Sequence, residues 1–231
     1  MTVSLSEMRT RVRRRADMER STFVSDAEIN QYINDGIKTL YDLLVQKFGQ
    51  DYYTIVAPIV PFVSDQLEYD LPADFYKETG VDLQLDSNSF ITCKPYMHVE
   101  RNRFNTILSR GVLAYQSTFY KIYSNKIYFT QSPGSSSAYR LWYIPKAVQL
   151  TTDTDTFDGY NGWEKYVEIL SAIDCKEKEE SDTVALERQL ARIEKRIEDA
   201  STNRQAGIGL RVTDTRSLPD GEIGFYNRTW W

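Results

Sequence analysis

Two stretches near the start of the chain and two near its end place apolar residues at three- and four-residue steps, the signature of amphipathic helices. Leu5, Met8, Val12 and Ala16 share one face of a helix expected from Leu5 to about Glu19, opened by the capping-box spacing Ser4-Leu5-Ser6-Glu7. A second box, Ser25-Asp26-Ala27-Glu28, opens a stronger helix on which Ile29, Tyr32, Ile33, Ile37, Leu40, Tyr41 and Leu44 recur. Gly49, just after Phe48, is its expected stop. Trp163 to about Glu180 repeats the pattern with Trp163, Tyr166, Val167, Leu170 and Ile173. Val184 to Asn203 repeats it with Leu186, Leu190, Ile193 and Ile197. The polar faces of this last helix set Glu194 and Glu198 against Arg188, Arg192 and their neighbours, opposite charges that support an exposed helix.

Between Asp51 and Lys146 the period changes. Tyr53 to Val63 is rich in β-formers but carries Pro58 and Pro61, which bring no N–H to a ladder, so an edge or interrupted strand is expected. Leu67 to Leu71 alternates and Pro72 ends it; Val81 to Leu85 reads as a further short strand. Thr118 to Tyr123 and Lys126 to Thr130 alternate about the polar pair Ser124-Asn125, a hairpin pattern. Tyr139 to Ile144 reads as a third strand beside that hairpin, and Met97 to Leu108 is ambiguous, with room for a short helix.

The expected fold is therefore α+β. A helical bundle (residues 1–50 and 160–204) carries an inserted antiparallel β-rich module (51–146), an acidic loop (147–159) and an extended C-terminal arm (205–231). A chain of 231 residues with 16 Tyr, 10 Phe and 4 Trp has ample material for a core. The net charge of −5 provides no global field for nucleic acid or an anionic membrane. The longest apolar runs, such as Thr54 to Val63, fall far short of the roughly 18–20 residues of a membrane helix. The basic N-terminal region is followed by no apolar stretch, so the expectation is a folded intracellular protein without a signal peptide.

Candidate chemistry is sparse. His98 is the only histidine, which leaves Ser-His-Asp or Cys-His activation without a base unless His98 serves, and its neighbours Met97 and Val99 do not support that. Cys93 and Cys175 make neither a disulfide framework nor a CxxC site. Asp153-Thr154-Asp155-Thr156-Phe157-Asp158-Gly159 suggests a calcium loop, but Phe157 stands at the fifth position and the Asp-Gly pair comes one residue late. A loop with carboxylates near a helix N-terminus explains it equally well. The residues imply no catalytic group, no metal and no cofactor. Arg9, Arg11, Arg13, Arg14, Arg15 and Arg20 make the first helix basic; phosphates are gripped by such clusters, but a solvated face, or one paired with an acidic neighbouring subunit, fits it better. Tyr120, Tyr123 and Tyr128 of the hairpin pack one sheet face and decorate the other. A glycosidase would need two carboxylates roughly 5–9 Å apart across a cleft, and no pair stands out.

The segment from Gln205 onward has no apolar periodicity and contains Gly207, Gly209, Pro219, Gly221 and Gly224, yet ends Phe225-Tyr226-Asn227-Arg228-Thr229-Trp230-Trp231. A disordered solubilising tail is poor in aromatics and biased in charge. This one is too irregular to build its own core and too apolar for water, so it either docks on another surface or folds back on its own domain.

Several segments taken in order resemble tailed-phage head-to-tail adaptor proteins. They are Arg11-Val12-Arg13-Arg14-Arg15-Ala16-Asp17-Met18-Glu19 with Phe23-Val24-Ser25-Asp26-Ala27-Glu28-Ile29-Asn30, Leu71-Pro72-Ala73-Asp74-Phe75-Tyr76-Lys77, Gly80-Val81-Asp82-Leu83, Leu141-Trp142-Tyr143-Ile144-Pro145, Phe157-Asp158-Gly159 to Gly162-Trp163-Glu164, and Arg211-Val212-Thr213-Asp214. The resemblance implies a structural ring in the virion, typically of twelve copies, placed at the portal vertex after synthesis in the host cytoplasm. Its partners would be the portal protein, a tail nozzle or tube protein, and other copies of itself. Genomic DNA would pass through without sequence-specific binding, and no membrane is involved. It also implies that the C-terminal extension grips the portal. The residues expected to do so are Leu210, Arg211, Val212, Asp214, Leu218, Ile223, Phe225, Tyr226, Trp230 and Trp231. Tail contacts are expected from Asp86, Ser87, Asn88, Ser89 and Phe90, and from Pro133, Gly134 and Ser135, in two short polar loops. The competing function is a nucleic-acid-binding protein that uses the basic N-terminal helix.

Overall fold

The computed structural model describes residues 2–49, 52–100, 118–131 and 137–202. Helix α1 (Leu5–Ala16) buries Leu5, Met8, Val12 and Ala16, and Ser4 caps it by accepting from the Glu7 N–H. It stops three residues short of the expected Glu19. Asp17 turns left-handed at φ 62°, and its N–H closes on the Arg13 and Arg14 carbonyls. The first capping box is also only half made, because the Glu7 carboxylate turns to Arg11 at 2.6 Å. The second box is complete: Ser25 and Glu28 exchange both bonds at the start of α2 (Asp26–Phe48), and Gly49 ends it at φ 74°. After a single turn, α3 (Gly159–Gly162), come α4 (Glu164–Lys178) and α5 (Val184–Thr202).

The four longer helices share one apolar core, from Leu5 and Met8 through Ile33, Ile37 and Leu40 to Val167, Ile173, Ile193 and Ile197. Each such fully buried aliphatic side chain contributes roughly 1.5–3 kcal/mol. Gly36 lets α2 and α4 approach closely: a Cβ there would meet Val167 Cγ1 at 3.3 Å and Ser171 Oγ at 3.4 Å.

The strands are β1 (Val3–Ser4), β2 (Ile55–Val56), β3 (Val60–Pro61), β4 (Glu68–Asp70), β5 (Phe75–Gln84), β6 (Phe90–Pro95), β7 (Phe119–Tyr123), β8 (Lys126–Phe129), β9 (Ala138–Pro145) and β10 (Thr156–Phe157). β1 pairs with β10 beside the helices; the others form one sheet in the order β2-β9-β5-β6-β7-β8-β4, with β3 also on β9. The sheet curls until strands from opposite ends share a core. The rings of Tyr69 on β4 and Tyr139 on β9 lie 5.3 Å apart, and Phe62 and Phe129 each pack against both. The molecule is an α+β protein.

Three strand expectations need correction. The module is not wholly antiparallel, because β6 and β7 pair in parallel through Lys94↔Phe119 and Pro95↔Tyr120. A parallel pair needs a long crossover, and the 96–118 stretch is long enough to supply one. The hairpin β7–β8 forms about Ser124-Asn125 as expected, but β9 does not lie beside it. β9 pairs with β5 instead, Leu141 against Val81 and Tyr139 against Leu83, because both its faces are buried and need a buried neighbour. β5 starts at Phe75, six residues before the expected Val81; two register shifts, between Phe75 and Lys77 and between Glu78 and Gly80, break the alternation of its first half. Tyr53 to Val63 is the interrupted edge its prolines imply, with β2 and β3 both on β9. Of the ambiguous stretch from Met97 to Leu108, His98–Glu100 form a 3-10 turn just after exposed Met97, and residues 101–108 lie outside the described residues.

Sheet and helices meet at Tyr41, Val45 and Ile144. Tyr41 OH donates to the Pro145 carbonyl at 2.7 Å, and Tyr76 OH to Asp42 at 2.7 Å. Buried Asn34 of α2 clasps Leu150 with both ends of its amide, at 2.9 and 2.8 Å.

Candidate functional site

The basic face of α1 lies largely against its own chain. Arg9 bonds Asp26 at 3.0 Å and also pairs with Asp153; Arg13 bonds Asp26 at 2.7 Å. Arg11 and Arg15 close on opposite oxygens of Glu168, at 3.0 and 2.9 Å, and the Glu168 side chain is only 7% exposed. The hydrogen bonds from Arg13 and Arg9 hold the Asp26 carboxyl below the usual range. Four of its arginines are thus not a freely solvated face: they tie α1 to α2, to α4 and to the loop before α3. Among the described residues Arg14 and Arg20 remain, with Arg14 near Glu19 at 3.4 Å.

The acidic loop is internally engaged as well. Asp155 accepts from the N–H groups of Thr151 and Thr152, at 2.7 and 2.8 Å, and from the Thr152 hydroxyl at 2.6 Å. These bonds, that of the Thr152 hydroxyl first, hold its carboxyl well below the ordinary range. Asp158 caps α3 at the Tyr160 N–H. Calcium-loop geometry is replaced by a turn that cross-braces itself and Arg9. Among the described residues no group of three or more His, Cys, Asp or Glu could hold a metal ion. His98 Nδ1 lies 2.8 Å from Tyr123 OH. Cys93 and Cys175 are free and buried, and burial pushes the thiols up to about 12 and about 11.

Two helical surfaces are not used up in this way. The first is a groove of about 560 Å³ between α2 and α4, lined by Tyr32, Asp35, Gly36, Thr39, Leu170, Asp174, Glu177 and Lys178. Lys178 points its charge to Glu28 at 2.5 Å. Burial, with Glu177 and Asp35 adding like charge, pushes the Asp174 carboxyl up to about 6. The second is the outer side of α5. The opposite charges expected to support this helix, Glu194 and Glu198 against Arg188 and Arg192, do not bond one another. Arg188, Arg192 and Arg196 follow one another at four-residue steps, and Glu194 and Glu198 do the same on another flank. The exposed acidic flank bonds its own chain, with Glu198 on Lys47 at 2.8 Å and Tyr166 OH donating to Glu194 at 3.3 Å.

Of the residues expected to meet the tail, Asp86, Ser87, Asn88 and Ser89 form the turn between β5 and β6. Asp86 accepts from the N–H groups of Asn88 and Ser89, at 2.9 and 2.8 Å. These bonds hold its carboxyl below the usual range. Phe90 is not in the loop: it starts β6, under the Arg140 guanidinium at 3.7 Å. This turn lies at the end of β5 remote from the Tyr76–Asp42 contact with α2, roughly 25 Å along the strand. Pro133, Gly134 and Ser135 lie outside the described residues, as do all ten residues expected to grip the portal, Leu210 through Trp231. Sequence reasoning missed the apolar strip on the sheet edge, where Ile55, Val56, Ile59, Val63 and Leu67 are each about half exposed. Alternation alone gives no sign of which edge stays uncovered.

Among the described residues no helix is long and apolar enough to cross a membrane. No curated protein matches the chain. The model of the SU10 adaptor protein family matches residues 3–213, nearly the whole folded part and the start of the C-terminal segment. That family is one of structural phage proteins and not an enzyme family, so the chain is a phage adaptor that assembles with other head or tail proteins in the virion. With most of its length under that match, the chain belongs to the SU10 adaptor protein family, a phage head-to-tail adaptor family.

Proposed function

We propose that the chain forms a closed homo-oligomeric ring of about twelve copies, seated between the capsid portal and the tail, whose channel the genome crosses on leaving. The family match over residues 3–213 carries this reading. In it, the helical bundle of residues 1–50 and 160–204 forms the ring wall. The β-rich module of residues 51–146 faces the tail, with the Asp86–Ser89 turn and Phe90 at its far end; Pro133, Gly134 and Ser135 belong to the same face. The pairing of Ile55 with Tyr143 supports this division, because the module leaves the helices and returns to them at adjacent points. The acidic loop of residues 147–159 braces the return.

The arm of residues 205–231 is the grip on the portal. Leu210, Val212, Leu218, Ile223, Phe225, Tyr226, Trp230 and Trp231 are its apolar anchors, with Arg211 and Asp214 as charged ones. Trp and Tyr dominate interface energetics, and a buried anchor contributes about 2 kcal/mol or more. The rival reading, nucleic-acid binding by α1, is disfavoured by the intramolecular pairs of Arg9, Arg11, Arg13 and Arg15. The test is native mass spectrometry of the chain mixed with portal rings, full length and truncated after Asn203. The full chain should load the portal with a complete ring, and the truncated chain should keep its helical circular dichroism and lose binding. Equal binding by both would remove the arm from the interface, and failure of the full chain to bind would overturn the adaptor position.

A further inference from the structure

The two unused helical surfaces complement each other in charge and length. Along α5, Arg188, Arg192, Lys195 and Arg196 fall on the side away from Leu186, Leu190, Ile193 and Ile197, which sit in the core. All four cations are exposed; among the described residues no carboxylate is bonded to Arg188 or Arg192, Lys195 lies near enough to Glu198 to help lower its carboxyl, and Arg196 lies 5.6 Å over the Trp163 ring. Like charges four residues apart destabilise an isolated helix. A row of them is a cost that an opposing anionic surface removes. The row from Arg188 to Arg196 is about 12 Å long at the helical rise per residue.

The groove between α2 and α4 offers such a surface. Its α4 wall, from Leu170 to Lys178, is also about 12 Å long. Asp35, Asp174 and Glu177 line it over half-buried Tyr32 and Leu170; Asp35 holds Lys38 of its own helix at 3.0 Å, and the lining cation Lys178 is taken up by Glu28, which leaves Asp174 and Glu177 as the open charges. Asp174 is half-buried with two carboxylates and no basic partner among the described residues.

We infer that the basic outer row of α5 seats in the acidic α2–α4 groove of a second copy of this chain. Two different patches meet at such a contact, so it is heterologous, the kind that repeats around a ring and closes when the rotation allows. The aliphatic stems of Arg188, Arg192 and Lys195 cover Tyr32 and Leu170, and their charges reach Asp35, Asp174 and Glu177. Desolvated partners at such a contact fix register and reject wrong partners more than they add affinity. The inference rests on the ring reading given above and specifies the contact that ring would use.

The test is zero-length carbodiimide coupling of lysines to carboxylates in intact phage particles, followed by peptide mass spectrometry of the multimer bands. The expected product joins Lys195 of one copy to Asp35, Asp174 or Glu177 of another. Multimers joined only through other peptides would overturn this contact and leave the ring standing. The absence of multimers, also with a longer lysine-to-lysine coupler, would overturn the ring itself. A charge exchange gives a second readout. The pair Arg188→Glu and Arg192→Glu should lower incorporation into particles about tenfold with unchanged circular dichroism, and adding Asp35→Lys and Asp174→Lys should restore most of it. Unchanged incorporation in the first variant, or no recovery in the second, would count against the contact.

Discussion

Glu168 Oε1 lies 3.0 Å from Arg11 Nη1, which joins α4 to α1 across 157 positions of sequence. With Arg15 on the other oxygen, one nearly buried carboxylate holds two of the arginines that make the N-terminal helix look like a phosphate-binding face. The Arg11 guanidinium is in turn held protonated more firmly by the bond it donates to Glu168. This part of the basic run packs α1 on α4.

Removing that carboxylate should therefore cost stability. Breaking a fully buried pair costs 3–5 kcal/mol, and the partial exposure of both arginines reduces this to about 2 kcal/mol for Glu168→Gln. Urea denaturation should show the midpoint lowered with the slope unchanged. A midpoint within experimental scatter of the parent would show that the clasp is energetically idle.

DNA binding should be weak. With Arg9, Arg11, Arg13 and Arg15 engaged, few phosphate contacts remain, so fluorescence anisotropy at 150 mM salt should give a Kd no tighter than the roughly 10⁻⁴–10⁻⁶ M of non-specific binding, with a shallow salt slope. A nanomolar Kd that falls steeply with salt would restore the rival reading.

Asp174 predicts an unusual pH dependence. Its carboxyl is raised to about 6 by burial, helped by Glu177 on its own helix and Asp35 on α2, while Lys178 is paired elsewhere. The folded state then holds the proton more tightly than the unfolded one. Its penalty is absent below about pH 4, grows as pH rises to about 6, and is complete above that. Screening of a half-exposed group limits it to about 1 kcal/mol. Asp174→Asn should be more stable than the parent by about that amount at pH 7.5 and equal to it at pH 4. If the inference about the ring contact holds, the same variant is stabilised as a monomer and weakened in assembly, a trade seen where a surface is kept for a partner.

Gly159 fixes the entry to α3 and α4. It adopts φ +66°, and a Cβ there would lie 2.6 Å from the Glu164 N–H nitrogen, which is backbone and cannot swing away. Gly159→Ala should cost about 2–3 kcal/mol and lower Tm by roughly 4–12 °C. Gly80→Ala, with open space around its Cβ, should change stability by less than about 0.5 kcal/mol. Similar shifts for the two would refute the close contact at Gly159.

The sequence makes plain what is settled within one turn or one hairpin. Ser25 and Glu28 mark the start of α2, Gly49 marks its end, and the pair Ser124-Asn125 marks the β7–β8 turn. It does not reveal partners far apart in the chain. Nothing near Arg11 points to Glu168, nothing near Leu141 points to Val81, and alternation cannot distinguish the parallel β6–β7 pair from an antiparallel one. The charges of α5 are present in the sequence, but their segregation into rows lies in the four-residue steps from Arg188 to Arg192 to Arg196 and from Glu194 to Glu198, not in the balance of the two signs. The helix caps are local, whereas surfaces such as the α2–α4 groove exist only once two distant helices pack.

The most direct test of the central claim is cryo-electron microscopy of whole particles with the portal vertex resolved. The account predicts one ring of about twelve copies of this chain directly beneath the portal, helices in the ring wall, the β-rich module toward the tail and the C-terminal segment against the portal. A single copy at the vertex, or a ring of this chain away from the portal–tail junction, would contradict it.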